Sequence, residues 1–198
     1  MTPSKDFKTL IVLGKSGSGK GTQVEILAER HNLKIISSGT LLRQRAEQTD
    51  FVAKGIAEIL ARGGLIPTPI IFHLWLHELE ASKDDENING IIFEGSPRKL
   101  YEAFMLEETL RFYNLEANTR ALYLDISDEE ATRRLLDRAR ADDTESAIRS
   151  RLSWFAEEVM PAVEFYRGKN QLVEINGEQS IEDVTKEIEQ KTKDFFEK

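Results

Sequence analysis

Thr9-Leu10-Ile11-Val12-Leu13-Gly14-Lys15-Ser16-Gly17-Ser18-Gly19-Lys20-Gly21-Thr22 decides how the rest of the chain is read. Its first five residues are mostly apolar and partly β-branched, as a strand buried on both faces requires. Glycines and a lysine follow, and then Val24, Ile26, Leu27 and Ala28 recur at helical spacing. Strand, glycine loop and helix in that order are the context of a phosphate-cradling loop. Glycines let the backbone N–H groups turn inward, and the helix behind them adds the positive end of its dipole. Lys20 supplies a point charge for terminal phosphates. The residue after such a lysine is ordinarily Ser or Thr; here it is Gly21, and the hydroxyl stands one place later at Thr22. A plain glycine turn is the competing reading, and it leaves the lysine and both flanks unexplained.

The 198 residues suit a single domain, 1–198, with room for an excursion and a substantial core. With 40% hydrophobic and 31% charged residues the chain reads as globular. The absence of cysteine excludes disulfides and any cysteine-ligated structural zinc. Residues 1–6 form no apolar signal region, and no apolar run reaches membrane-spanning length, so a cytoplasmic location without membrane contact is expected. A net charge of -8 argues against a nucleic-acid partner, which asks for a basic face. Positive charge is nonetheless concentrated: six arginines and no lysine fall between Arg133 and Arg151.

Strands are expected at residues 7–13, 34–37, 90–95, 120–126 and 171–175. Helices are expected at 20–30, 39–48, 51–62, 70–82, 99–113, 129–138 and 144–167, the last kinked at Pro161, and from 181 onward. Ser127-Asp128-Glu129-Glu130 reads as a helix start, a hydroxyl cap followed by acids near the positive end. The alternation predicts an α/β fold of three layers, a mainly parallel five-stranded sheet with helices on both faces. In such sheets ligands sit beyond the carboxyl ends of the strands. Ser37 to Arg43 follows the second strand and Glu94 to Lys99 the third, so each brings an arginine near the phosphate loop. Two further anion-binding corners suggest two phosphorylated substrates.

These motifs together resemble the adenylate kinases, within the nucleoside monophosphate kinase family, over nearly the whole chain. Gly14 to Gln23 is similar to the family's glycine loop, whose lysine is followed by Gly-Thr. Ser38-Gly39-Thr40-Leu41-Leu42-Arg43 resembles an element that contacts AMP, and Gly63 to Pro67 resembles the turn that closes on its base. Gly95-Ser96-Pro97-Arg98 resembles the segment whose arginine grips the AMP phosphate. Arg134 to Arg138 resembles the pair that meets ATP; Arg140-Ala141-Asp142-Asp143 with Arg149 and Arg151 resembles the clamp on the transferring group.

The resemblance implies a P-loop NTPase-type fold with a helical NMP-binding excursion at 38–67 and the reaction of Mg-ATP with AMP to give two ADP. It implies ATP binding by Gly14, Ser16, Gly17, Ser18, Gly19, Lys20, Gly21, Thr22, Arg134, Arg138 and Gln179. AMP binding is implied for Ser38, Gly39, Arg43, Leu65, Ile66, Gly95, Arg98, Glu102, Arg140 and Arg151. The implied catalytic cations are Lys20, Arg98, Arg138, Arg140, Arg149 and Arg151, and Glu94 would hold Mg²⁺ through water. A monomer or small homo-oligomer is expected. Family members carry a lid after the first arginine pair; here only Ala139 separates Arg138 from Arg140, so a lid is expected to be essentially absent at 138–141.

Four positions depart from the family pattern. Thr40 stands for Asp, Ser96 for Phe, Glu94 for Asp, and Glu102 for the glutamine that reads the AMP base. A carboxylate accepts from the exocyclic amine of adenine but cannot donate to N1. GMP, CMP or UMP as acceptor therefore stays open, as does an ATP-binding module without turnover. Blander readings stand beside the sharp ones. The arginines could be solvated helix faces, with pairs such as Arg133–Asp137. His73 and His77, one helical turn apart, have no third metal ligand in view, and His31 reads as a helix-end residue. Leu74, Trp75 and Leu79 read as core.

Overall fold

Successive residues of the first strand face two different cores, and that alternation fixes the layers. The computed structural model describes residues 7–83, 85–138 and 144–197. Its strands are β1 (Lys8–Gly14), β2 (Leu33–Ser37), β3 (Gly90–Glu94), β4 (Thr119–Asp125) and β5 (Leu172–Asn176). They form one parallel sheet in the order β2-β3-β1-β4-β5. The helices are α1 (Lys20–His31), α2 (Ser38–Ala46), α3 (Phe51–Ala61), α4 (Thr68–Lys83), α5 (Leu100–Phe112), α6 (Asp128–Arg138), α7 (Glu145–Trp154), α8 (Met160–Gly168) and α9 (Ile181–Phe196).

Ile11 and Leu13 join Ile36, Phe93 and Tyr123 in a core covered by α2 to α5 and α8, where Trp75 and Leu79 are fully buried. Leu10 and Val12 join Ile92, Leu124 and Ile175 in the opposite core, covered by α1 and α9. Each side chain thus lies on the face the strand period of two assigns to it. The expected three-layer α/β arrangement is what the chain adopts.

Register then builds one end of the sheet into a site. Val12 and Ser37 both pair with Glu94, and Gly14 pairs with Leu124. The glycine loop therefore leaves the sheet beside the segments that follow β2 and β3. The helix α6 starts as its sequence suggests: Ser127 Oγ accepts from the N–H of Glu130 at 3.3 Å, with Asp128, Glu129 and Glu130 in the first turn.

The segment expected as one helix over 144–167, kinked at Pro161, is helical from Glu145 to Gly168 and widens just upstream of Pro161. Helix α7 runs to Trp154, one wide helical turn at Phe155–Val159 carries it on, and α8 has Pro161 in its first turn. Proline has no N–H to offer the preceding turn, and its ring crowds the carbonyl four residues back. The wide turn lies just before the proline, where the regular ladder of hydrogen bonds would lack a donor.

Candidate active site

Beyond the carboxyl ends of β1, β2 and β3 lies a cleft of about 540 Å³. Ser16, Gly17, Gly19, Lys20, Gly21 and Thr22 form one wall. Ser37, Gly39, Thr40, Arg43, Glu94 and Arg98 form another, and Gly63, Gly64, Arg134, Arg138, Arg151 and Trp154 complete it. Glu25 and Glu94 are the acids among a lysine and five arginines, so the lining of the cleft carries an excess of positive charge.

Lys20, the first residue of α1, folds its ammonium back over the loop, donating to the carbonyls of Gly14 at 2.7 Å and Lys15 at 2.6 Å. Burial draws its pKa down to about 8; Glu94 opposes this, and Arg98 and Arg138 add to the depression. Ser18, within the loop, is buried. At the end of β3, Glu94 accepts a hydrogen bond from Ser37 Oγ.

Arg98 Nε donates to the carbonyl of Gly95 at 2.7 Å, and its guanidinium stands 5.9 Å from the Trp154 ring centroid. Its backbone N–H donates to Glu102 Oε2 at 2.6 Å, and Thr68 Oγ1 donates to Glu102 Oε1 at 3.3 Å. Glu102 is 3% exposed, and burial raises its pKa against these hydrogen bonds and the Arg98 charge. Ser38, Leu65, Ile66, Gly95, Ser96, Arg98 and Glu102 line one small cavity, in which the Ser38 and Ser96 hydroxyls lie 2.5 Å apart. Arg43 lines the main cleft near Thr40, its guanidinium 3.4 Å from Oγ1.

On the far side of the glycine loop a second cavity, about 360 Å³, is lined by Ser18, Gly19, Thr22, Arg134, Gly177 and Gln179 among others. Gln179 Nε2 donates to the Asn176 carbonyl at 3.1 Å. Arg134 borders both cavities, with Nε held by Glu130 at 2.5 Å.

The structure thus brings together Lys20, Glu94, Arg43, Arg98, Arg134, Arg138 and Arg151. It does not bring Arg149 to them. That side chain is exposed and lines a separate groove with Leu136, Ile148 and Leu152 between α6 and α7. Positions 149 and 151 are two residues apart on a helix, about 200° around its axis, so both cannot face one cleft. Arg140, Asp142, Asp143 and the stretch at 139–141 lie outside the described residues. Arg133 pairs with Glu130 at 2.7 Å and Asp137 at 3.0 Å on the surface, the bland reading in its case. His73 and His77 are exposed, and among the described residues no group of three His, Asp or Glu is placed to hold a metal ion. His31 ends α1 and stacks on Phe196.

Two contributors escape sequence reasoning. Trp154 enters the cleft and donates through Nε1 to the Gly63 carbonyl at 2.8 Å. Its position three residues after Arg151, on the same helix face, was the available signal. Gly63, at φ +67°, lies so close that a Cβ would stand 2.6 Å from the Ala147 carbonyl oxygen, so α7 packs on bare backbone. The other contributor is Lys15, whose side chain leaves the glycine loop for the Ile126 carbonyl and not for the cleft.

A parallel sheet with a glycine loop, a lysine at the next helix and a cleft of arginines defines a phosphate-binding α/β kinase fold. The family model described as adenylate kinase matches residues 12–171. Adenylate kinase 1 of Nostoc sp. is 37% identical over 90% of this chain and 95% of its own. The adenylate kinase of Corynebacterium urealyticum is 34% identical, covering 89% of this chain and 94% of its own. That of Leptospira biflexa is 33% identical over 92% and 98%. The chain belongs to the adenylate kinase family. Among the described residues, no helix is long and apolar enough to cross a membrane.

Proposed function

We propose that this chain transfers the γ-phosphoryl group of ATP to the phosphate of AMP, reversibly, giving two ADP. The observation that carries this reading is the shared cleft, where the glycine loop with Lys20 and the Arg43 and Arg98 corner open onto the same space. ATP would occupy the glycine loop, with its base toward Arg134, Gly177 and Gln179. AMP would occupy the side of Ser38, Gly39, Arg43, Leu65, Ile66, Gly95 and Glu102, its phosphate on Arg98.

An AMP phosphate oxygen attacks the γ-phosphorus in line, the bond to the β,γ-bridging oxygen breaks, and that oxygen leaves on ADP. The acceptor is already an anion, so no strong base is required; positioning and charge stabilisation carry the rate. Lys20, Arg98, Arg138 and Arg151 neutralise the charge that spreads over the transferring oxygens. The half-buried carboxylate of Glu94 and the Thr22 hydroxyl, both in the cleft, are oxygen donors of the kind Mg²⁺ takes, directly or through water, beside nucleotide phosphates. When bound, Mg²⁺ would offset phosphate charge. We further propose residues 38–67 as the segment that moves on AMP binding.

Steady-state turnover with Mg-ATP and AMP, GMP, CMP or UMP tests the assignment. AMP is expected to be the best acceptor by kcat/KM. A preference for GMP, whose N1–H and N2–H₂ suit the Glu102 carboxylate, would overturn the acceptor assignment, and no turnover with any of them would overturn the whole.

A further inference from the structure

Lys15, inside the glycine loop, does not line the main cleft; its side chain runs the other way. Its Nζ donates to the Ile126 carbonyl at 2.7 Å, pairs with Asp128 Oδ1 at 2.8 Å and stands 5.9 Å from the Phe155 ring centroid. Only 18% of the side chain is exposed. The ammonium is largely withdrawn from water while Asp128 is exposed, so the Ile126 carbonyl is the sheltered partner and the carboxylate adds a weaker, solvent-screened attraction. Its own carbonyl, meanwhile, accepts the Lys20 ammonium at 2.6 Å.

Ile126 and Asp128 flank the junction of β4 with α6, the helix that carries Arg134 and Arg138 into the cleft. A second contact joins the same two bodies. Gly17, at φ +87°, lies where a Cβ would stand 2.8 Å from the Ala131 carbonyl oxygen, so loop backbone rests on α6 backbone. Rotation of α6 about that glycine contact would move both arginines relative to Lys20. The Lys15 tether, to Ile126 and Asp128 at the start of α6, is a second point of attachment that opposes that rotation.

We propose that Lys15 is a positioning residue for phosphoryl transfer, fastening the glycine loop to the β4–α6 junction and so fixing Arg134 and Arg138 relative to Lys20. This deepens the function proposed above and rests on it. The rival role, a second phosphate ligand, would require Lys15 to abandon the Ile126 carbonyl, Asp128 and Phe155 together.

Steady-state kinetics of Lys15→Met and Asp128→Asn, beside the wild type, decide between these. The arginines on α6 face the ATP side, so Lys15→Met is expected to raise KM for ATP by about tenfold and lower kcat, while KM for AMP stays within about twofold. Asp128→Asn, at an exposed carboxylate, is expected to shift KM for ATP the same way by a smaller factor, and it carries the test alone if Lys15→Met does not fold. An unchanged KM for ATP in a folded Lys15→Met, or equal rises in both KM values, would overturn the proposal. So would a lower KM for ATP in Asp128→Asn, which would mark a released Lys15 as a phosphate ligand. A wild type that makes no ADP from ATP and AMP would instead overturn the underlying function.

Discussion

Glu102 accepts the backbone N–H of Arg98 at 2.6 Å, so a buried carboxylate on the first turn of α5 holds the main chain of an arginine that enters the cleft. The other oxygen accepts from Thr68 at the start of α4. One side chain therefore ties the Arg98 loop to the helix that follows residues 38–67.

A glutamine in this place can keep both contacts, its carbonyl accepting from Arg98 and its amide donating to Thr68. Glu102→Gln is expected to keep AMP turnover within about threefold of wild type or improve it, because an amide can also donate and accept toward adenine. Glu102→Ala leaves the Arg98 N–H without this partner and is expected to cost about 1–3 kcal/mol of stability. The pH dependence has a definite sign. Burial raises the Glu102 pKa, so its contribution to stability is full below the ordinary carboxylate range and is lost as pH rises through the raised value. Urea unfolding should show Glu102→Gln gaining on wild type across that rise; a constant difference from acid to neutral pH would contradict it.

Lys20 gives a second pH signature. The phosphate role proposed for Lys20 requires its protonated form, and burial has drawn the pKa down from 10.5 to about 8. The kcat/KM for ATP is expected to fall with a one-proton slope as pH rises through about 8. Stability should move the opposite way. Between about 8 and 10.5 the unfolded chain holds a proton the folded one has released, so this group makes stability rise with pH. A kcat/KM that stays flat across this interval would contradict the placement of Lys20 at the phosphates.

The sheet and the glycine loop were legible because they rest on short-range rules. Thr9 to Leu13 announces a buried strand, and the glycines with Lys20 announce the loop behind it. What escaped depends on direction or distance. Motif spacing puts Arg149 beside Arg151, but helix rotation turns it toward Leu136 and Ile148. The hydrogen bond from Trp154 to Gly63 spans 91 positions, and that from Lys15 to Ile126 spans 111; neither has a local pattern to betray it. Pro161 announces a departure from regular helix, and the wide turn at Phe155–Val159, just before it, is where that departure falls.

Motion offers a third check. The tail of the proposed moving segment is already docked, since the Gly63 carbonyl accepts from Trp154 and its Cα packs on Ala147. Closure should therefore displace α2 and α3 about that anchor. Hydrogen exchange with and without a dinucleotide that joins both substrates is expected to show new protection over 38–61, with little change at 145–154. Strong protection centred on α6 with none over α2 and α3 would place the moving part elsewhere.

Lys20 and the arginines of one cleft are proposed to move a phosphoryl group between two nucleotides. The most direct test is ADP formed per ATP consumed, with equimolar AMP, for wild type and Lys20→Ala. Two ADP per ATP are expected from wild type. For Lys20→Ala, with its circular dichroism unchanged, a rate lower by on the order of 10³-fold is expected, because the role proposed for the side chain is at phosphate and not in the core. Near-normal turnover by a folded Lys20→Ala, or one ADP with free phosphate in place of the second, would contradict the account.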